Sequence, residues 1–170
     1  NAGVVATDTT GVGTARYNLA AVGYGTDKAI FGYGFSGGAV SMTNLVSNTG
    51  VVATDTTGVG TARYLPAAAG YGSTGQAIFG FGTTGVATSL TNKVSNTGVV
   101  ATDTTGVGTA RYGLAAAGYG GDKAIFGYGY NGTAAVSITN LVSATGVVST
   151  DTTGVGTARH RLAAAGYSST

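Results

Sequence analysis

Short apolar runs that close on glycine alternate along this chain with stretches rich in Thr, Ser, Asn and Asp, and the whole pattern returns at a fixed interval. Residues 48–64 recur unchanged as residues 96–112, and near-copies start at Asn1 and Ala144. The copies therefore begin 47, 48 and 48 residues apart. A period of this length is typical of stacked repeat units, in which each unit buries its apolar face against its neighbours.

Each period contains four segments with the pattern of β-strands. In the first full unit these segments are residues 16–25, 28–34, 39–47 and 51–57. Glycine and polar turn residues separate them, and β-branched and aromatic residues are frequent within them. Alternation in the third segment places Val40, Met42 and, near its end, Leu45 on a buried face. The unit is therefore predicted to be a four-stranded antiparallel meander.

A helical fold is disfavoured because glycine recurs every few residues, and each glycine in a helix interior costs about 1 kcal/mol relative to alanine. Alanine-rich runs at residues 65–69 and 114–117 favour a helix by propensity alone. Both runs are short, and isolated helices below roughly 12 residues are marginal. We therefore predict strands in these two runs as well.

Four-stranded units with this period predict an all-β fold of the β-propeller type, in which each unit forms one blade. An open β-solenoid or fibre is the alternative. The chain divides as a single repeat array over 1–170, with 1–15 as strand four of a partial blade, blades at 16–62, 63–110 and 111–158, and 159–170 as strand one of a closing blade. Three full blades do not close a ring, so a homo-oligomer or the remainder of a longer chain is expected to complete it.

Each unit, taken from its arginine, resembles a kelch repeat. The matching stretches are residues 63–72, 77–82, 88–94 and 51–57, with a second set at 111–120, 124–129 and 136–142. In that family an arginine precedes an apolar first strand, and an aromatic, glycine-rich second strand follows. The chain departs from the family's pattern where paired glycines are replaced by Gly-Tyr-Gly or Gly-Phe-Gly, and where a strand-four tryptophan is absent. The resemblance implies a β-propeller.

The amino-acid sequence of the repeat is also similar to repeats in uncharacterised proteins of tailed phages and uncultured marine viruses. That similarity is carried by Lys-Ala-Ile-Phe-Gly-Tyr-Gly at 28–34 and 123–129, and by Thr-Gly-Val-Val-Ala-Thr-Asp-Thr-Thr-Gly-Val-Gly-Thr-Ala-Arg at 49–63 and 97–111. It is closer than the similarity to kelch repeats. It implies a virion or extracellular-surface setting and supplies no active site.

Charged residues make up only 8% of the chain, and the formal net charge is +2. This balance offers no basic footprint for nucleic acid, and no apolar run reaches the length of a membrane-spanning helix, so neither partner is expected. The charges recur at equivalent positions, which predicts that they cap turns or pair within or between units, with a ring of ligand-binding groups as the alternative. These residues are Asp8, Asp55, Asp103, Asp151, Arg16, Arg63, Arg111 and Arg159.

Two sets of repeated side chains are candidates for ligand binding, with a cell-surface glycan as the candidate ligand. The aromatic rings suit stacking on sugar rings, and the amides suit hydrogen bonds to sugar hydroxyls. The alternatives are that the rings fill space between blades and that the amides only face solvent from a strand. The residues are Tyr24, Tyr71, Tyr119, Asn44, Asn92 and Asn140.

No catalytic or metal-binding constellation is expected. The single histidine, His160, replaces the tyrosine found at Tyr17, Tyr64 and Tyr112, and the chain has neither Glu nor Cys. A catalytic triad or a zinc site would need such residues together. We therefore expect a protein that is not an enzyme and that uses no cofactor.

These observations predict a non-enzymatic structural or adhesion repeat protein of a phage particle, such as a tail fibre, or of a comparable surface assembly. Several weak, equivalent sites on repeated blades would bind multivalently. A carbohydrate-binding lectin is one alternative. A purely architectural filament or coat unit, in which exposed sheet edges pair with neighbouring copies, is the other.

Overall fold

The computed structural model describes residues 7–8 and 10–166. This part of the chain contains nine short strands and no helix, which confirms the predicted all-β class. The strands form three antiparallel sheets, each three-stranded and ordered as in the chain. The first sheet contains β1 (Ala20–Tyr24), β2 (Lys28–Gly32) and β3 (Thr43–Val46). The second contains β4 (Ala67–Tyr71), β5 (Gln76–Gly80) and β6 (Thr91–Val94), and the third contains β7 (Ala115–Tyr119), β8 (Lys123–Gly127) and β9 (Thr139–Val142).

Each sheet begins with a tight hairpin whose register is set by its turn. In the first sheet Tyr24 pairs with Lys28 across a turn in which Gly25 and Thr26 both have positive φ, 60° and 74°. A turn with left-handed residues matches the twist of the strands that it joins. The alanine runs lie in β4 and β7, so the prediction of strands there is confirmed.

The fourth segment of each unit lies along the third strand without forming a continuous strand. Residues 51–57 contact β3 at two isolated bridges, Thr43 to Thr56 and Val46 to Val52. Three residue steps on β3 thus face four steps on the segment, which is the geometry of a bulge. Between the bridges the side chain of Asn44, rather than a backbone N–H, donates to the carbonyl of Ala53 at 3.1 Å. The predicted four-stranded meander is therefore a three-stranded sheet with a bulged fourth segment.

Consecutive units are joined through the residues that precede their first strands. The backbone N–H of Leu65 donates to Asn18 O at 2.8 Å, that of Gly113 to Leu65 O at 3.1 Å, and that of Arg161 to Gly113 O at 2.7 Å. All four residues have left-handed backbones, with φ between 53° and 60°. A non-glycine residue pays a steric penalty in this conformation, so the stacked backbone must hold Leu65 in place.

The apolar core lies between the sheets. Phe79 of β5 packs on Gly32 of β2, where a Cβ would lie only 2.8 Å from the Phe79 Cζ, and Phe126 packs on Gly80 in the same way, at 2.6 Å. The same rings meet aromatic neighbours edge-on, with centroids of Tyr33 and Phe79 5.2 Å apart. Each unit therefore depends on the next for its core, as expected for a repeat array.

Burial along the third segment of the first unit does not follow simple alternation. In β3 the most buried residues are polar, Thr43 and Asn44, whereas Val40, Met42 and Leu45 are half-buried. The expected apolar face of the third segment is thus corrected. The reason is that the Asn44 side chain belongs to a hydrogen-bonding network with Arg16 and Asp55, described below.

Candidate functional site

A buried arginine organises the polar interior of each unit. In the second unit the Arg63 guanidinium is fully buried; its Nε donates to Phe81 O at 2.8 Å and its Nη2 donates to Asn92 Oδ1 at 2.7 Å. Its Nη1 donates to Thr61 O at 3.2 Å. The guanidinium also lies over the Tyr33 ring of the preceding unit, 4.0 Å from the centroid, which is within cation–π range. One side chain therefore ties together two units.

The network continues from the arginine to an aspartate. Asn92 Nδ2 donates to Ala101 O at 3.0 Å and to Asp103 Oδ1 at 2.9 Å. The other carboxylate oxygen of Asp103 accepts from the Thr61 N–H at 2.9 Å and from its hydroxyl at 2.6 Å. Arg63 Nη1 and Asp103 Oδ1 lie 3.9 Å apart. These bonds connect Thr61, in the loop before the first strand, to Asp103 in the bulged fourth segment. They therefore fix the loop against that segment.

The same network recurs in the units on both sides. Its members there are Arg16, Asn44, Asp55 and Thr14, and Arg111, Asn140, Asp151 and Thr109. The Thr14 hydroxyl and the Asn44 amide hold the pKa of Asp55 below its usual value. Burial lowers the pKa of Arg111 to about 10, against an attraction to Asp151 that raises it.

The arginines and aspartates thus pair, but not at the spacing that is most visible in the sequence. The aspartate that lies eight residues before Arg63, Arg111 or Arg159 belongs to the network of the preceding arginine. The pairs are Arg16 with Asp55, Arg63 with Asp103, and Arg111 with Asp151. Asp8 is exposed. Arg159 donates to Thr157 O at 3.1 Å and lies over the Tyr128 ring at 4.0 Å.

The three candidate asparagines lie inside these networks. Asn44 is 3% exposed, and Asn92 and Asn140 are 0% exposed. Their amides are already bonded to arginine, aspartate and a backbone carbonyl, so no polar atom faces solvent. Within this structure a sugar cannot reach them without breaking the junction.

The three candidate tyrosines meet at a second location, the turns at the end of the first hairpins. A groove of about 440 Å³ runs across these turns, and we call it the turn groove. Its side-chain lining is Tyr24, Tyr71, Tyr119, Thr26, Lys28, Gln76 and Lys123. Equivalent positions from all three units therefore share one surface depression.

Two of the three rings are used for packing. Tyr24 and Tyr71 are buried against glycines in the next unit's turn, Gly98 and Gly146, where a Cβ would lie 2.9 Å and 2.6 Å from the ring carbons. Burial raises the pKa of Tyr71. Tyr119 is half-buried. The turn groove thus offers one accessible ring among the candidates, at the last unit.

The remaining side chains in the turn groove are polar, and its two lysines are paired with aspartates. Lys28 donates to Asp27 at 2.8 Å, and Lys123 donates to Asp122 at 3.1 Å. The middle unit has Gln76 instead, and its buried Oε1 has no partner among the described residues. This mixture suits hydrogen bonding to a neutral polar ligand better than binding of a strong anion.

An aromatic stripe on the outer surface was missed by the sequence analysis. Tyr17 and Phe35 lie 5.4 Å apart, Phe35 and Tyr64 5.2 Å, and beyond Thr83 the stripe resumes with Tyr112, Tyr130 and His160. Tyr17 is 58% exposed. The tyrosine that follows each repeat arginine was a visible clue, but its partner comes from a turn 18 residues later, so the pairing depends on the fold.

Compared with models of known protein families and with curated proteins, the chain matches none. Within residues 7–8 and 10–166 no three His, Cys, Asp or Glu side chains come together as a metal site would require. No helix that could cross a membrane occurs in the same part of the chain.

Proposed function

We propose that this chain is a non-enzymatic structural or adhesion repeat protein, in which a stacked scaffold presents equivalent surfaces. One observation carries this proposal: the repeated polar residues are bonded to one another inside each unit and, through Thr61 and the Tyr33 ring, to the preceding unit. The Arg63, Asn92 and Asp103 network, with its counterparts on either side, has its side-chain atoms bonded within the array. What the repeat leaves on the surface is the turn groove and the aromatic stripe.

The proposed higher-order fold is a β-propeller of kelch-like blades, each a three-stranded sheet with its bulged fourth segment. Support comes from the first strands β1, β4 and β7, which lie side by side as the inner strands of blades do. An open solenoid or fibre remains the competing arrangement. Small-angle scattering distinguishes them, because a closed ring gives a compact particle and an open array gives a rod that lengthens with copy number.

The proposed setting is a virion or another extracellular surface, on the strength of the resemblance to phage repeats. There, a repeated rim would bind through avidity: several weak contacts to a cell-surface glycan add up when one particle carries many units. Glycan-array binding by the protein displayed on beads tests this. Glycan binding by the protein on beads but not by the free protein supports adhesion. No binding by either form leaves the architectural role.

A carbohydrate-binding lectin is the second candidate, and the aromatic stripe favours it. Exposed rings such as Tyr17 can stack on sugar rings with little loss of side-chain entropy. The variant Tyr17→Ala with Tyr64→Ala is expected to lose a glycan signal. Tyr71→Ala with Asn92→Ala is the comparison, because those residues are buried and should lose stability instead.

A further inference from the structure

The two ends of the described array present the two halves of the contact that joins its sheets. At one end lies the phenylalanine face, formed by Ala29, Phe31 and Val46; at the other lies the glycine face, formed by Ile125, Gly127 and Leu141. We infer that a second copy of this chain docks head to tail, with Phe31 of one copy packed on Gly127 of the other. The inference rests on the proposed structural function and names its partner.

The internal junctions show how this contact is made. Phe79 and Phe126 are 0% exposed because each packs on a glycine of the preceding sheet, whereas the equivalent Phe31 is 36% exposed. At Gly127 a Cβ would meet only the Thr139 Cγ2, at 3.4 Å, so the place that a ring fills at Gly32 and Gly80 is open. The chain thus carries an unfilled slot at Gly127 and a partly exposed ring at Phe31, the two groups that meet at each internal junction.

The residues around the slot and the ring match in the same way. Ile30 and Ile78 are fully buried by the next sheet, while the equivalent Ile125 is only half-buried. Leu141 is 42% exposed on the same face. On the other face Val46 is half-buried, although the equivalent Val94 and Val142 are fully buried. Both faces are apolar, so docking buries apolar surface without stranding a charge.

Beside each face lies a chain segment that occupies the position a docked unit would take. Residues 10–16 lie beside the phenylalanine face, where Thr14 donates to Asp55 and a groove of about 610 Å³ stays open next to Phe31. Residues 159–166 lie beside the glycine face, where Arg159 covers Tyr128. Docking in the internal register requires residues 10–15 and 159–166 to move aside, while Arg16 keeps its bond to Asn44.

That displacement costs little because the segments are copies of what replaces them. Residues 10–16 and 153–159 have the same sequence, Thr-Gly-Val-Gly-Thr-Ala-Arg. Thr157 of the incoming copy takes over the bonds of Thr14, and Arg16 takes over the Tyr128 ring from Arg159. The exchange of like contacts is the logic of domain swapping, and the net gain is the burial of the two faces. Such a heterologous contact closes into a ring or extends as a filament.

The test is the solution mass of the 170-residue chain over a concentration series by sedimentation or light scattering. The chain should associate, and Phe31→Ala and Gly127→Val should each abolish association, while circular dichroism and the melting temperature at a concentration too low for the parent to associate stay unchanged. Because each variant keeps one intact face, an equal mixture of the two should form a one-to-one dimer that grows no further. Val86→Ala, an exposed position on a loop of the middle unit, is the matched control and should associate like the parent.

Three results would overturn the inference: a parent chain that stays monomeric at the highest concentration, variants that associate as the parent does, or a mixture that forms no dimer. These failures are separable from failure of the proposed function. A monomer that binds glycans on beads leaves the adhesion role standing, and association that ignores both variants leaves an architectural role with another interface.

Discussion

The junction networks and the turn groove are built from the same repeat, yet they differ in how strictly the repeat is kept. In the networks, the arginine, asparagine, aspartate and threonine are identical in all three units. In the turn groove, Lys28 and Lys123 flank a middle unit that has Gln76 and one additional turn residue. A buried network tolerates no exchange because each member satisfies another, whereas a surface groove is free to vary. We therefore expect the networks to set stability and the turn groove to contribute little to it.

Removing the arginine at the centre of one network should have the largest effect on stability. Arg63→Ala leaves Asn92 and the carbonyls of Phe81 and Thr61 without their donor, so we expect the free energy of unfolding to fall by about 3–5 kcal/mol. Lys123→Ala in the turn groove is the matched control, with an exposed side chain and an expected change near zero. Urea unfolding followed by circular dichroism measures both. Equal losses would mean that the networks are not special.

Truncation of two tyrosines in the turn groove should cost different amounts of stability, because one ring is buried and the other is half-buried. Tyr71→Ala empties a site against Gly146 and should cost about 3 kcal/mol, as buried aromatic truncations do. Tyr119→Ala removes the half-buried counterpart at the last unit and should cost much less. Thermal melts of the two variants give the difference. If Tyr119→Ala proved the more damaging, the described packing of the first two rings would be wrong.

Two glycines test the stacking of the sheets with one added methyl group. Gly80→Ala places a Cβ 2.6 Å from the Phe126 Cζ, so overpacking should destabilise the chain by about 1–3 kcal/mol. Gly127→Ala adds the same atom where the nearest contact is 3.4 Å away, and stability should be unchanged. Chemical denaturation of both variants is the measurement. A neutral Gly80→Ala would contradict the ring-on-glycine contact.

Acid should weaken the junctions by a smaller amount. Hydrogen bonds from Thr14 and Asn44 lower the pKa of Asp55, and for Asp103 the bonds from Thr61 and Asn92 outweigh a burial effect that raises it. A carboxylate with a depressed folded-state pKa stabilises the fold above its unfolded pKa of about 3.9, and this contribution is lost as the pH falls through the folded value.

Stability should therefore be level near neutrality and decline below about pH 4. Denaturant midpoints measured across that range follow the effect, and Asp103→Asn should flatten part of the decline. A midpoint that stayed constant down to pH 2 would show that the carboxylates are not held as described.

Much of the fold was predictable because local chemistry decides it. Glycines at the hairpin turns and the short apolar runs between them place β1 and β2, and the alanine runs became strands because they are too short to hold a helix. The fourth segment was not predictable in the same way. Its bulge arises from Asn44, whose side chain bonds to Ala53 O only after the sheet has formed.

The candidate sites, too, were only partly predictable from the sequence. Equivalent spacing showed only that arginines and aspartates occupy fixed positions in each unit; the aspartate nearest Arg63 is Asp103 rather than Asp55, because register and stacking choose it. Pattern alone also could not reveal that Asn92 faces inward, since a solvent-facing and a network-facing asparagine occupy the same place in a strand sequence. The aromatic stripe needs residues from separate turns and appears only in three dimensions.

The most direct test of the account is a double-mutant cycle between Arg63 and Asn92. Their 2.7 Å bond lies in the centre of a junction, so the unfolding free energies of Arg63→Ala, Asn92→Ala and the double variant should be strongly non-additive. A coupling energy between about 0.5 and 3 kcal/mol is the predicted result. Additive losses would contradict it, because they would show Asn92 acting independently of the arginine and would return it to the list of ligand-binding candidates.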